Sequence, residues 1–286
     1  MKAVCLSALS VSSLLCASCG YEYLFAVPER STFLELQQDD NVASVEDGEP
    51  PPTMRRVLQD GDHWEYVVYQ NVADQDWSWA LTGYESQWYS TGVFVPELGE
   101  TMGVMSDEAY QTEHTSGDVI DWRGETFFTQ DPSGLLWIHG WRDGMGPDSV
   151  FDPPVSPGRF FRTPEVLEVG AEVHTEVHLQ DGSVKRFDNR IAAVEDVYTP
   201  IGWLRAFRIE RSSSEEWNGR TFRLANSTDW LVPELGNYAR SRVYTLEYGD
   251  DGRFTSRVYL YELYWTSVEL PAEAMRTEGK VVGPKP

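Results

Sequence analysis

Apolar and polar positions along most of this chain alternate with a period of two, the spacing of β-strands. His63–Tyr69 sets Trp64, Tyr66 and Val68 against Glu65 and Val67. Trp122–Gln130 carries Thr126-Phe127-Phe128-Thr129, Asp131-Pro132-Ser133-Gly134 reads as a turn, and Leu135–Trp141 returns as a strand. Phe151-Asp152-Pro153-Pro154 and Pro157-Gly158 break the ladder, because proline has no N–H to give to a neighbouring strand. Glu172–Leu179 places Val173, Val177 and Leu179 on one face, and Gln180-Asp181-Gly182 turns it back into Ser183–Val197. Thr199-Pro200-Ile201-Gly202 is another turn, followed by a strand over Trp203–Arg211. Asn218-Gly219 is a strong hairpin signal. Tyr238–Tyr248 and Arg253–Trp265 form the last hairpin, around Asp250-Asp251-Gly252.

Helical periodicity is nearly absent. Ser31–Gln38, with Thr32 and Glu35 at capping-box spacing, is one short helix candidate. Val104–Gln111 and Pro271–Arg276 are the others. Regularly spaced hairpins predict an all-β fold with a few short helices, built on one strongly curved antiparallel sheet. In the last strand one face carries Phe254, Val258, Leu260 and Tyr264, and the other Tyr259, Tyr261, Leu263 and Trp265. A sheet with one wet face alternates apolar with polar. Here both faces are apolar, so both need a cover, supplied by a helix, a loop or a bound apolar ligand. Phe254, Val258, Leu260, Tyr264, Tyr259 and Tyr261 are therefore the candidate lining of an apolar site.

A short repeat accompanies the strands. Val-Pro-Glu-Leu-Gly occurs at Val95–Gly99 and again at Val232–Gly236, each time after a Trp-containing segment and before a candidate strand. Its local meaning is a strand end, where proline stops pairing and glycine permits a sharp turn.

The amino terminus reads differently. Met1-Lys2 precedes an apolar and small-residue run that ends at Ser18, followed by Cys19-Gly20, which is the composition of an export signal. All three cysteines, Cys5, Cys16 and Cys19, lie in this stretch, so a fold cut free of the signal has no disulfide to rest on. Leu15-Cys16-Ala17-Ser18-Cys19 resembles the lipobox of bacterial lipoproteins, with the small pair Ala17-Ser18 before the cysteine and Cys16 where leucine is usual. The resemblance implies a signal peptide over 1–18, a lipidated Cys19, and attachment to a membrane through that lipid. Gly20 after the cysteine permits outer-membrane sorting, facing the periplasm or the surface. Ordinary secretion, with cleavage near Ser18 or Gly20, is the alternative. Residues 19–55 are acidic and hold Pro50-Pro51-Pro52, the composition of an extended tether. Residues 56–270 form the β domain and 271–286 a tail.

Charge narrows the partners. The chain has 46 acidic against 23 basic residues and a formal charge of −23, which excludes a phosphate-binding surface for nucleic acid. His174, Glu176 and His178 share one strand face, but residues four apart on a strand lie roughly 13 Å from each other, too far for one metal ion. No P-loop, dinucleotide fingerprint or Gly-x-Ser-x-Gly elbow is present, so no cofactor and no enzyme are expected. A pair of carboxylates of the glycosidase kind has no motif to single it out. Trp77-Ser78-Trp79 with Tyr84, Trp88 and Tyr89 could stack on sugar rings, or could point into the core from one strand face.

From Gly124 onward a succession of segments resembles a known group. Thr126–Trp141, Phe151-Asp152-Pro153-Pro154, Leu167–Glu172, Val194–Gly202, Phe207-Arg208-Ile209-Glu210 and Trp230–Gly236 follow in the order found in bacterial envelope lipoproteins similar to the LolA, LolB and LppX half-barrels. The resemblance implies a curved sheet wrapped around short helices with a hydrophobic cavity, and a lipid acyl chain or other apolar ligand bound there. It carries no catalytic residues. The expected role is thus an envelope lipoprotein that binds an apolar ligand. The alternatives are a structural or protein-interaction lipoprotein filled by its own side chains, and a glycan-binding module.

Overall fold

The computed structural model describes residues 42–45, 50–72, 80–111, 120–143, 150–156, 158–217, 220–248, 254–272 and 274–276. The helix candidate at 31–38, Trp77–Trp79, the turns at Asn218-Gly219 and Asp250–Gly252, and Cys19 all lie outside them. In chain order the strands are β1 (Val42–Ser44), β2 (His63–Val72), β3 (Ala80–Val95), β4 (Glu100–Gln111) and β5 (Ile120–Gln130). Then follow β6 (Leu136–Asp143), β7 (Val150–Asp152), β8 (Pro154–Ser156), β9 (Glu172–Leu179) and β10 (Val184–Thr199). The chain closes with β11 (Gly202–Trp217), β12 (Arg220–Val232), β13 (Asn237–Tyr248), β14 (Phe254–Thr266) and β15 (Met275–Arg276). All pair antiparallel in one sheet, so the all-β expectation holds.

The sheet runs from β7 back through β6 to β2, across to β14, and down through β13 to β9 and β8. Its first and last members, β7 and β8, are separated by Pro153 alone. Residues 150–156 are therefore one extended segment whose first half pairs with β6 and whose second half pairs with β9. The sheet thus nearly closes into a barrel, well beyond a half-barrel. Proline suits the changeover, since at that point the segment has no continuous partner to receive an N–H.

One face can be followed around the ring by register: Trp141 opposite Thr126, Met105 opposite Tyr89, Glu85 opposite Tyr66, Val68 opposite Tyr261, Ser241 opposite Asp229, and Arg211 opposite Asn189. This is the inner face. It holds Trp64, fully buried, whose indole N–H donates to the Leu235 carbonyl at 3.3 Å. Truncating an aromatic so placed costs about 3–5 kcal/mol.

Two segments cross one end of the barrel. Residues 55–62 bond there through Arg56 N–H to the Pro233 carbonyl and Gly61 N–H to the Tyr89 carbonyl, both at 2.9 Å. Residues 158–171 bond through Phe160 and Ile138, which exchange both backbone bonds, and through Gly170 N–H to the Ile191 carbonyl at 2.8 Å. Both copies of the Val-Pro-Glu-Leu-Gly repeat make their turns at this end. In each, the glycine N–H donates to the carbonyl of the repeat's valine, and the glycine takes φ of 66° (Gly99) or 71° (Gly236). That left-handed conformation explains the residue type.

Two helix expectations are corrected. Val104–Gln111 is strand β4, not helix. Its backbone pairs with β3 on one side and β5 on the other, and the ladder overrides the local pattern. Pro271–Arg276 is a turn followed by β15, paired with Trp203 and Leu204. Within the expected tether, Val42–Ser44 is strand β1, paired with Glu195–Val197. The tips of β10 and β11 are thus flanked by a strand from each end of the chain.

Candidate functional site

Of the six residues expected to line an apolar site, the five with described side chains do not converge on one cavity. Tyr259 and Tyr261 point inward and are buried, beside the fully buried Leu263. They pack in the same core as Trp64, Tyr66 and Val243. Val258, Leu260 and Tyr264 belong to the opposite face; Leu260 is buried and the other two are half-buried. Phe254 pairs with Tyr248 by backbone, and its side chain lies outside the described residues. Alternation also fails near the strand end. A bulge between Leu263 and Trp265 inserts Tyr264, so Trp265 falls opposite Glu65 and is 44% exposed, instead of following Leu263 inward. The Tyr264 hydroxyl donates to the Glu65 carboxylate, and burial together with that bond raises the phenol above its ordinary range.

The aromatic platform also divides. Tyr89 is buried, whereas Tyr84 is exposed and Trp88 half-buried. Tyr84 meets Tyr264 edge-on at 5.8 Å, and His63 meets Trp265 at 5.2 Å and Trp88 at 6.4 Å. These rings form a strip outside the barrel across β3, β2 and β14. His174 and His178 sit exposed on β9, as strand geometry required. His174 faces Asp188 at 2.7 Å, and His178 faces Glu176 at 3.0 Å.

The interior holds groups that alternation alone would have placed in water. Asp229 is fully buried and pairs with the Arg211 guanidinium at 2.9 Å. It also accepts the hydroxyls of Ser241 (2.5 Å) and Ser227 (3.1 Å). Arg211 lies over the Tyr238 ring at 4.7 Å. Arg162, from the crossing segment, feels Asp229 and Asp107 as attractive charges and Arg211 as a repulsive one. Burial dominates and pushes its guanidinium down to about 9. Further around the ring, Lys185 pairs with Glu215 at 3.6 Å and stands over the Trp141 ring at 4.6 Å.

Glu85 and Asp107 are diagonal neighbours on β3 and β4, since Glu85 is opposite Ala109 and Gln87 opposite Asp107. Burial, and then the Asp107 charge, raise the Glu85 carboxyl well above its ordinary range, against a hydrogen bond from Gln87 at 2.7 Å. The folded protein therefore keeps a proton that the unfolded chain releases above the ordinary carboxylate range. The stability this supplies is full at acid pH and is lost as pH rises through the folded value. Glu85→Gln should flatten the decline in stability as pH rises above the ordinary carboxylate range, relative to the unmodified protein. Urea midpoints over that rise test this, and parallel curves for the two proteins would refute it.

A cavity of about 100 Å³ lies under the crossing segments. Arg55, Arg56, Arg162 and Arg211 reach its wall, with Gln87, Gln130, Asn237 and Tyr238, over an apolar floor that includes Leu135 and Ile138. Neither Glu85 nor Asp107 lines it. Pockets for drug-sized ligands run to about 300–1,000 Å³, so this one suits a few waters or a small polar group. Sequence reading missed it because its arginines come from three distant parts of the chain.

No protein-family model matches the chain, and no curated protein matches it by sequence. Among solved structures, a proposed lipoprotein from Parabacteroides distasonis aligns with 74% of this chain and 98% of its own, at 14% identity and a TM-score of 0.36. A proposed exported protein with a YmcC-like fold from Bacteroides fragilis aligns with 76% of this chain and 100% of its own, at 12% identity and a TM-score of 0.37. Both likenesses are too distant to carry an inference about this chain.

Proposed function

We propose that this chain is an exported, lipid-anchored protein of a bacterial cell envelope, and that its barrel is a non-catalytic structural or interaction module. Export and anchoring rest on Ala17-Ser18-Cys19 behind a short apolar run. The choice against an acyl-chain carrier rests on one observation: the inner face of β14 is already occupied. Tyr259, Tyr261 and Leu263 are buried in the core, and the neighbouring inner positions Ser241 and Asp229 are polar and bonded to each other. An acyl chain gains about 25 cal/mol for each Å² of apolar surface it removes from water, and side chains already in contact leave it little to remove.

The test is direct. Protein lacking residues 1–19 should show no saturable binding of a fluorescent fatty acid. Saturable binding that disappears in Val243→Trp, which would fill the interior opposite Tyr259, would return the carrier reading to first place.

A further inference from the structure

We infer that the capped end of the barrel holds a binding site for a small oxyanion: inorganic phosphate or sulfate, or the carboxylate of a sugar acid. This goes beyond the interaction role and does not depend on whether the barrel carries lipid.

Composition provides the contrast. Acidic residues outnumber basic ones 46 to 23 in this chain. Yet Arg55, Arg56, Arg162 and Arg211 line the cavity, and among the described residues no aspartate or glutamate does. Arg56 and Arg211 are neutralised from outside the wall. Asp62 takes both terminal nitrogens of Arg56, one of them at 2.9 Å. Asp229 takes Arg211 at 2.9 Å. Arg55 has no such carboxylate: its terminal nitrogens donate to the carbonyls of Pro164 and of Glu165, the latter at 2.9 Å. Its Nε is buried with no hydrogen-bond partner. Carbonyls orient a guanidinium without cancelling its charge. Burial accordingly pushes Arg55 down to about 10, in spite of the attraction of Asp131 and Glu165.

The remaining wall holds the amides of Gln130, which donates to the Arg56 and Gly134 carbonyls, and of Asn237, which donates to Gln87, beside an apolar floor. A low-dielectric floor strengthens a charge-assisted bond, and the guanidinium fork fits the paired oxygens of phosphate, sulfate or carboxylate. The volume selects size, because about 100 Å³ admits an oxyanion or a carboxylate end group and little more.

Calorimetry and thermal shifts on the purified full-length protein decide the matter. The probes are sodium phosphate, sodium sulfate and sodium galacturonate, each against sodium chloride at equal ionic strength. At least one should bind saturably near one per chain and raise the melting temperature above the chloride control. Preference for phosphate or sulfate assigns a free inorganic ion, and preference for galacturonate assigns a sugar-acid carboxylate. Arg55→Gln and Arg162→Gln should each weaken binding about tenfold or more, the loss expected of a charge-assisted hydrogen bond. Arg186→Gln, on the exposed side of β10 and paired there with Glu176 and Glu216, should leave binding unchanged. Arg162 also belongs to the interior ion network, so Arg55→Gln decides if Arg162→Gln does not fold. Binding no stronger than chloride by all three probes, or full affinity in Arg55→Gln, would overturn the assignment.

Discussion

Asp229→Ala should destabilise the barrel by about 3–5 kcal/mol, the cost of leaving a buried charge without its partner. Asp229 is fully buried and holds Arg211 at 2.9 Å, with Ser227 and Ser241 on its remaining lone pairs. Alanine would leave the Arg211 guanidinium inside the barrel next to Arg162, which already repels it. Both serine hydroxyls would lose their acceptor. The pair itself need not add much stability, because taking two ions out of water is costly. The double variant Arg211→Met/Asp229→Leu should therefore recover most of the loss. Denaturant midpoints of the two variants make the comparison. A single variant within about 1 kcal/mol of the original would show that water reaches this cluster and screens it.

Cys19→Ser should move the protein almost completely from the membrane fraction to the soluble one. Each acyl methylene buried in a bilayer contributes about 0.8 kcal/mol, so losing the acyl chains removes the attachment. A charge of −23 offers no electrostatic hold on anionic lipids to replace it. Fractionation and mass spectrometry of the mature amino terminus test this together. An unmodified start downstream of Cys19 in the original protein would overturn lipid anchoring and leave ordinary secretion.

The strands were legible where both partners of a hairpin are close in sequence. Asp131–Gly134 turns as its residues suggest, with Asp131 accepting the N–H groups of Ser133 (2.8 Å) and Leu135 (3.1 Å). Gln180–Gly182 turns β9 into β10, with Gly182 at φ 85°. β4 was not legible. Met102, Val104, Met105, Ser106 and Asp107 are buried on both faces, so no polar face marks a period of two. The bulge at Tyr264 was equally hidden, since it arises from register against β2 and not from the residues of β14 alone.

The features legible along the chain are local: the strand period, the turns that proline, glycine and aspartate impose, the acidic surplus, and the export-like start. Each depends on residues within a few positions of one another. Tertiary structure decided which face of each strand looks inward, that residues 150–156 join the two ends of the sheet, and that carboxylates and guanidiniums occupy the interior. A buried charge survives only with a partner, and these partners are far apart in the chain. Asp229 relies on Arg211 and on serines from its own strand and the next. The cavity draws Arg55, Arg56, Arg162 and Arg211 together only because the sheet curls into a nearly closed ring and two segments cross its end. No pattern along the chain encodes that juxtaposition, because it comes from the curvature of the whole sheet.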